Sequence, residues 1–303
     1  MSLRPITETR HAQPTMEGAG VHLHRAFGFQ DPSELDPFLL FDDFRNERSE
    51  DFLRGFPWHP HRGIETITYV LSGTVEHGDS LGNEGRLGAG DVQWMTAGSG
   101  ILHQEMPKGN ANGQMHGFQL WANLPSSLKM TAPRYQDVQG KDIPEIIDDD
   151  GTRVKVIVGN FWGKSGPVDG IAADPQYLDI YVPAGVKKTF KVDTYRKAFA
   201  YVFEGAGAFA DASAPEGVLL EKEVMGEEVN IRDMSGNRTL IKFGTGEEVT
   251  VQAGEEGIRF LLISGAPIQE PVAWHGPIVM NTREELMQAF AELRNGTFIK
   301  PAH

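Results

Sequence analysis

No cysteine occurs in the 303 residues, which excludes disulfides, thiolate metal sites and cysteine nucleophiles. No apolar run reaches the roughly 18 residues that a membrane-crossing helix needs. The N-terminal Met1-Ser2-Leu3-Arg4-Pro5 lacks the apolar centre of an export signal. A cytoplasmic address is therefore expected, or a nuclear one in a eukaryotic cell. Asn237-Arg238-Thr239 and Asn295-Gly296-Thr297 match glycosylation acceptors, but without an export signal they read as coincidence. Positive charge is scarce too: 28 Lys and Arg against 42 Asp and Glu give a formal net charge of −14. No run of Lys and Arg interrupts that balance. Such a surface repels phosphate backbones, so direct nucleic-acid binding is not expected.

Helix-like periodicity is also sparse. In its place stand 35 glycines and short runs rich in Val, Ile, Thr, Phe and Tyr, which predict a mainly all-β chain with many turns. Strands are expected at residues 21–30, 64–71, 92–95, 116–121 and 153–159, with Pro37 to Phe41 as a buried apolar run. Repeated short strands between glycine-rich turns point to sandwiches or barrels. The length suits two domains. The polar, acidic stretch 138–152, with Pro144 and Asp148-Asp149-Asp150-Gly151, reads as a linker between residues 1–137 and 153–303. The clearest helix is 282–293. Thr282 and Glu285 form a capping box, Leu286, Phe290 and Leu293 make one stripe, and Gly296 supplies a stop. This helix is expected to pack on the second β domain.

An internal echo supports two similar halves. Tyr69-Val70-Leu71-Ser72-Gly73 is matched by Tyr201-Val202-Phe203-Glu204-Gly205, and Gly90 with Ala97-Gly98 by Gly246 with Ala253-Gly254.

Two short pairs carry the chemistry: His59 with His61, and His103 with Glu105. The spacing i, i+2 puts both side chains of a pair on one face of a strand. Two such strands side by side aim three imidazoles and one carboxylate at a common point. Burying that set without a partner is costly, and a divalent first-row metal removes the cost. The echo places Lys191, Asp193, Lys197, Arg259 and Leu261 where the first half has His59, His61, Glu65, His103 and Glu105, so the second half is expected to hold no metal. His22-Leu23-His24 has the same spacing but no acidic companion pair, and reads as an ordinary half-exposed strand. Glu65 follows on the strand after His61, and steric direction alone does not decide whether it is a donor. His77 is expected to bond the Gly78-Asp79 turn, and His116 sits near a strand start. Gly205-x-Gly207-x-x-Ala210 matches a weak dinucleotide pattern, but Asp211 to Pro215 reads as loop rather than helix, so it is rejected.

The stretch from His59 to Thr66, followed by Gly90 to Pro107, resembles the pirin family of the cupin superfamily. So do Asp36 to Asp42, Gln119 to Pro125, Glu270-Pro271-Val272 and Gly276 to Thr282. The resemblance implies two tandem cupin β-barrels with a C-terminal helix and a metal in the first barrel only. It places the metal donors at His59, His61, His103 and Glu105, and it leaves Glu65 out. Thr96 stands where cupins in general carry Pro, and His103 comes later after the glycine than in that general pattern. Both departures are pirin-like.

Four protein donors leave about two positions open on a six-coordinate ion, which suits a substrate and O₂. Imidazole and carboxylate donors accept Fe(II), and also Mn, Ni, Cu or Zn; the resemblance favours iron. It further implies quercetin 2,3-dioxygenase activity on a small aromatic substrate. A flavonol is bound through its deprotonated 3-hydroxyl, and its heterocycle is cleaved by O₂ with loss of carbon monoxide. Glu105 is then the acceptor of the hydroxyl proton. The alternative that the resemblance carries is a non-enzymatic, iron- and redox-responsive regulator acting through protein partners.

Overall fold

The computed structural model describes residues 2–29, 31–212, 221–224, 227–230 and 234–300. Gln30, the last residue of the first expected strand, and the expected loop residues 213–215 lie outside them. The chain forms two compact units. One comprises Gln13–Asp142 and Ile268–His303, the other Met1–Ala12 and Ile143–Pro267.

The first unit is a barrel of two antiparallel sheets. The larger has seven strands in the order Arg134–Val138, Val92–Thr96, Ile64–Ser72, His116–Asn123, Phe38–Asp43, Val21–Phe27 and Gln13–Glu17. The smaller has four, in the order Phe56–His61, Ile101–Lys108, Thr74–Asp79 and Glu84–Leu87. The strand Ile101–Lys108 shows why the chain closes this way. Ile101, His103, Glu105 and Pro107 are buried, while Leu102, Gln104 and Met106 are only partly so. That period of two turns one row of side chains into the barrel. Val21, Leu23, Phe44, Phe52 and Val70 belong to one of its buried apolar clusters.

The second unit is built on Lys197–Phe209 and Glu248–Gly265, strands long enough to run through most of its sheet and paired with each other along much of their length. Its interior is filled by apolar side chains such as Val156, Ile180, Phe190, Ile241 and Phe260. Tyr69 and Tyr201 both sit on central strands, and Gly73 and Gly205 both end the echoed segment in the left-handed region, at φ +82° and +66°. Gly205 and Gly207 lie inside a strand, consistent with rejecting a dinucleotide loop.

The division at 1–137, 138–152 and 153–303 needs correction. The strand Ile6–His11 pairs with Thr239–Phe243 in the second unit. Part of the expected linker is sheet, since Glu145–Ile147 pairs with Arg153–Val158. The helix Arg283–Asn295 has its capping box on Thr282 and Glu285 and ends on Gly296 at φ +72°. It belongs to the first unit, not the second: Leu286, Ala289, Phe290 and Leu293 pack with Ile278, Met280 and Phe298. Strand pairing is made by backbone groups, and a helix's apolar stripe fits any apolar surface. Neither names its partner in the sequence.

Candidate metal centre

The strand Phe56–His61 lies antiparallel to Ile101–Lys108, with His59 directly opposite His103 and His61 opposite Ile101. Three imidazoles therefore meet inside the first barrel. The Nε2 atom of His59 is 3.1 Å from that of His61 and 2.9 Å from that of His103. The donor atoms of the three residues all lie within 4.8 Å of one another. No other such His, Asp and Glu cluster is found among the described residues.

The far nitrogens of two rings face backbone carbonyls. His59 Nδ1 is 2.9 Å from the Pro57 oxygen, and His61 Nδ1 is 3.3 Å from the Pro277 oxygen. A ring that donates from Nδ1 to a carbonyl carries a lone pair on Nε2. Burial holds all three rings below the ordinary histidine range, and their mutual repulsion adds to this for His61 and His103. The rings are thus neutral near pH 7. The lone pairs of His59 and His61, aimed at each other from 3.1 Å, repel unless a cation shares them. With metal–nitrogen bonds of about 2.0–2.1 Å, donors at right angles stand about 2.8–3.0 Å apart, and tetrahedral ones about 3.3–3.4 Å. The two short separations, both from His59, fit adjacent positions on a six-coordinate ion.

Glu105 lies on the same inward row as His103, with a register shift between them. It is 9 % exposed, and its Oε1 accepts a bond from Thr68 Oγ1 at 3.2 Å. Burial pushes its carboxyl up to about 7. It is not one of the three residues whose donor atoms already converge.

Beside these groups opens a cavity of about 420 Å³, lined by His59, His61, Glu105, Thr68, Gln119 and Trp121, with Val21, Leu23, Phe44 and Phe52 at its apolar end. Several of its features were not singled out from the sequence. Thr68 Oγ1 also stands 2.7 Å from Gln119 Oε1. Arg25 forms a two-pronged ion pair with Asp42, both contacts at 2.8 Å, and its guanidinium lies over the Phe29 ring. Phe29 stacks on Trp274, and Trp121 meets the His61 ring edge-on at 5.1 Å. The one available signal was the inward alternation of Gln119 and Trp121 on their strand.

The remaining expected residues fall elsewhere. Glu65 and Thr68 are three apart on one strand and so point to opposite faces, and it is Thr68 that lines the cavity. Glu65 is instead bonded by Thr96 Oγ1 at 2.7 Å. His77 does not bond the Gly78-Asp79 turn. It is buried, 2.8 Å from Gln93 Nε2 and stacked on Tyr135. His116 faces Asp43 and the Phe118 ring. Val21 and Leu23 point inward, so His22 points out, 3.5 Å from Asp51. No helix among the described residues is long and apolar enough to cross a membrane.

Comparison with known proteins places this site in a family. The Pirin pattern matches residues 20–122, and the Pirin C-terminal cupin domain pattern matches residues 177–299. A pirin-like protein of Caulobacter vibrioides is 44% identical over 98% of this chain and 100% of its own length. A Pseudomonas aeruginosa protein provisionally named quercetin 2,3-dioxygenase is 38% identical over 97% of each chain. Among solved structures, a quercetin 2,3-dioxygenase from Acinetobacter baumannii superimposes with a TM-score of 0.82 at 30% identity, covering 98% of each chain. A bacterial pirin from Escherichia coli, solved in complex with nickel(II), shares the fold at a TM-score of 0.62 and 20% identity, covering 86% of this chain and 99% of its own. With two cupin barrels and three converging histidines in the first, the chain belongs to the pirin family.

Proposed function

We propose that this protein is a metal-dependent dioxygenase of the pirin type, which uses Fe(II) to open the heterocycle of a flavonol such as quercetin. The observation that carries the reading is the meeting of three imidazoles, with the Nε2 atom of His59 3.1 Å from that of His61 and 2.9 Å from that of His103, and carbonyls behind the first two rings. His59, His61 and His103 would hold the ion, with Glu105 as the fourth donor. Bound there, iron supplies the one-electron chemistry that O₂ needs to react with a closed-shell organic molecule.

The chain's own residues do the rest. The apolar end of the cavity takes up a flat aromatic body and excludes water, while Trp121 borders the histidines. Glu105, buried beside the histidines and lining the cavity, accepts the proton of the flavonol 3-hydroxyl and later returns it to the product. Thr68 steadies that carboxylate through its hydroxyl. Both atoms of O₂ enter the ring-opened ester, C3 of the flavonol leaves as carbon monoxide, and no external reductant is consumed. The names borne by relatives at 30% identity or more support the same reading.

The test is O₂ uptake and carbon monoxide release by the iron-loaded protein given quercetin, alongside His103→Ala and Glu105→Gln. Stoichiometric uptake and release, lost in both variants, is expected. Iron-loaded protein that consumes no O₂ with any flavonol would overturn the enzymatic reading.

A further inference from the structure

We infer that the segment from Trp274 to Phe298 is a positioning strap for the metal centre: the Pro277 carbonyl sets the protonation pattern of His61, and the Arg62–Glu292 contact holds the backbone that carries it. This inference rests on reading the three imidazoles as metal donors.

More than two hundred residues separate the strap from His61, yet it meets the chain at every position from His61 to Gly63. At His61, the Pro277 oxygen lies 3.3 Å from Nδ1. A carbonyl can only accept, so the proton belongs on Nδ1 and the lone pair on Nε2, the atom facing His59. The turn that presents this carbonyl is fixed from within, because Trp274 Nε1 donates to the Gly276 oxygen at 2.7 Å.

At Arg62, the Val279 N–H donates to the backbone oxygen at 3.1 Å. The side chain, 2 % exposed, reaches into the strap. Nη1 donates to Glu292 at 2.8 Å, Nη2 donates to the Phe298 oxygen at 2.8 Å, and the guanidinium stacks 4.1 Å from the Phe298 ring centre. At Gly63 the two segments touch so closely that a Cβ would sit 1.9 Å from the Val279 oxygen, and the residue is also in the left-handed region at φ +75°. Three consecutive residues, the first of them a donor, are thus held in register by one distant segment. Groups that orient a metal-bound histidine from behind commonly alter metal affinity about 10–100-fold when removed. Arg62, Glu292 and Pro277 are positioning residues here; none is itself a metal donor.

Two measurements on the full chain test this. The first reads the ring nitrogens of His61 by ¹⁵N NMR in metal-free protein. A proton on Nδ1 is expected in the parent, and a mixture of tautomers in Pro277→Gly. The second titrates cobalt(II) into the parent, Glu292→Gln, Arg62→Met and, as a control on the exposed helix face, Arg294→Gln. Far-UV circular dichroism confirms that each is folded.

Cobalt(II) affinity should fall about fivefold or more in Glu292→Gln and about 10–100-fold in Arg62→Met, and stay unchanged in Arg294→Gln. Glu292→Gln keeps the helix and most of the packing, so it remains informative if Arg62→Met fails to fold. Parent-like affinity in folded Glu292→Gln, together with an unchanged Nδ1 proton on His61 in Pro277→Gly, would overturn the inference while leaving the metal site intact. A parent that binds no cobalt(II) would instead sink the metal reading. The NMR arm would then still decide whether the strap governs His61, with a proton on Nε2 counting against it.

Discussion

Lys129→Met is the sharpest test of how the histidine-bearing barrel is held together. Lys129 is 1 % exposed, and its ammonium donates to the Gly63 oxygen at 2.9 Å, to Asn123 Oδ1 at 2.7 Å and to the Val279 oxygen at 3.0 Å. Three protons thus meet three acceptors. Methionine preserves the stem, leaves little void and removes every donor. Each buried acceptor left without a partner costs about 1–3 kcal/mol. The Asn123 amide can turn to recover part of its share, so the expected loss is about 3–6 kcal/mol. With a urea slope of about 1–3 kcal/mol per molar, the unfolding midpoint should drop by about 1–6 M. Tryptophan fluorescence reports this well, because Trp58, Trp94, Trp121 and Trp274 belong to the first barrel and only Trp162 to the second. A midpoint shift under about 0.5 M would refute the hydrogen-bond argument.

The same variant has a pH signature. Burial pushes Lys129 down to about 7 from its ordinary 10.5, against a smaller upward pull from Glu270 and Glu285. Between those values the unfolded chain holds a proton that the folded chain has released, so folding is favoured as pH rises. The stability gap between parent and Lys129→Met should therefore widen from pH 7 to pH 10 and narrow as pH falls back through 7. A gap flat across that window would mean that the three acceptors keep the amine fully charged.

Further expectations concern the site and its surroundings. His103→Ala should reduce bound metal from one equivalent to below about a tenth by elemental analysis while the barrel stays folded, because two imidazoles and a carboxylate hold an ion far less firmly. Metal added at about a hundred times its dissociation constant should stabilise the parent by about 2.7 kcal/mol, chelation should reverse this, and His61→Ala should show neither effect. Glu65→Gln should leave metal content unchanged. Burial pushes the Glu65 carboxyl up to about 7, so the parent should lose stability as pH rises from 4.5 to 7, and the variant should not. Gly63→Ala should unfold the first barrel below ordinary growth temperatures, since strain at φ +75° adds to a backbone collision with Val279.

The histidines were legible in the sequence because strand periodicity is short-ranged. Spacing i, i+2 fixes a face without knowledge of the rest of the fold, and two such pairs need only adjacent strands to meet. The capped helix was legible for the same reason: Thr282, Glu285 and Gly296 act within two turns. What the helix packs against was not. Nothing in Leu286, Phe290 and Leu293 distinguishes one barrel from the other, and Ile6–His11 could edge any open sheet. Nothing in the sequence marks Lys129 or Arg62 for burial, yet both are buried because acceptors distant in sequence surround them. Glu105 is intermediate. Its alternation with His103 set its direction, but the register shift between them is a backbone detail that residue types do not encode.

The exchange of terminal segments has a consequence for synthesis. Because the first barrel includes residues beyond Pro267, its fold cannot be completed until Phe298 has left the ribosome, although its histidines emerge early. The other barrel, which needs only residues up to Pro267, can finish before it. A nascent chain thus carries open histidine-bearing strands through most of translation, and a premature stop near residue 270 would spare the later-encoded barrel while leaving the earlier one unfinished.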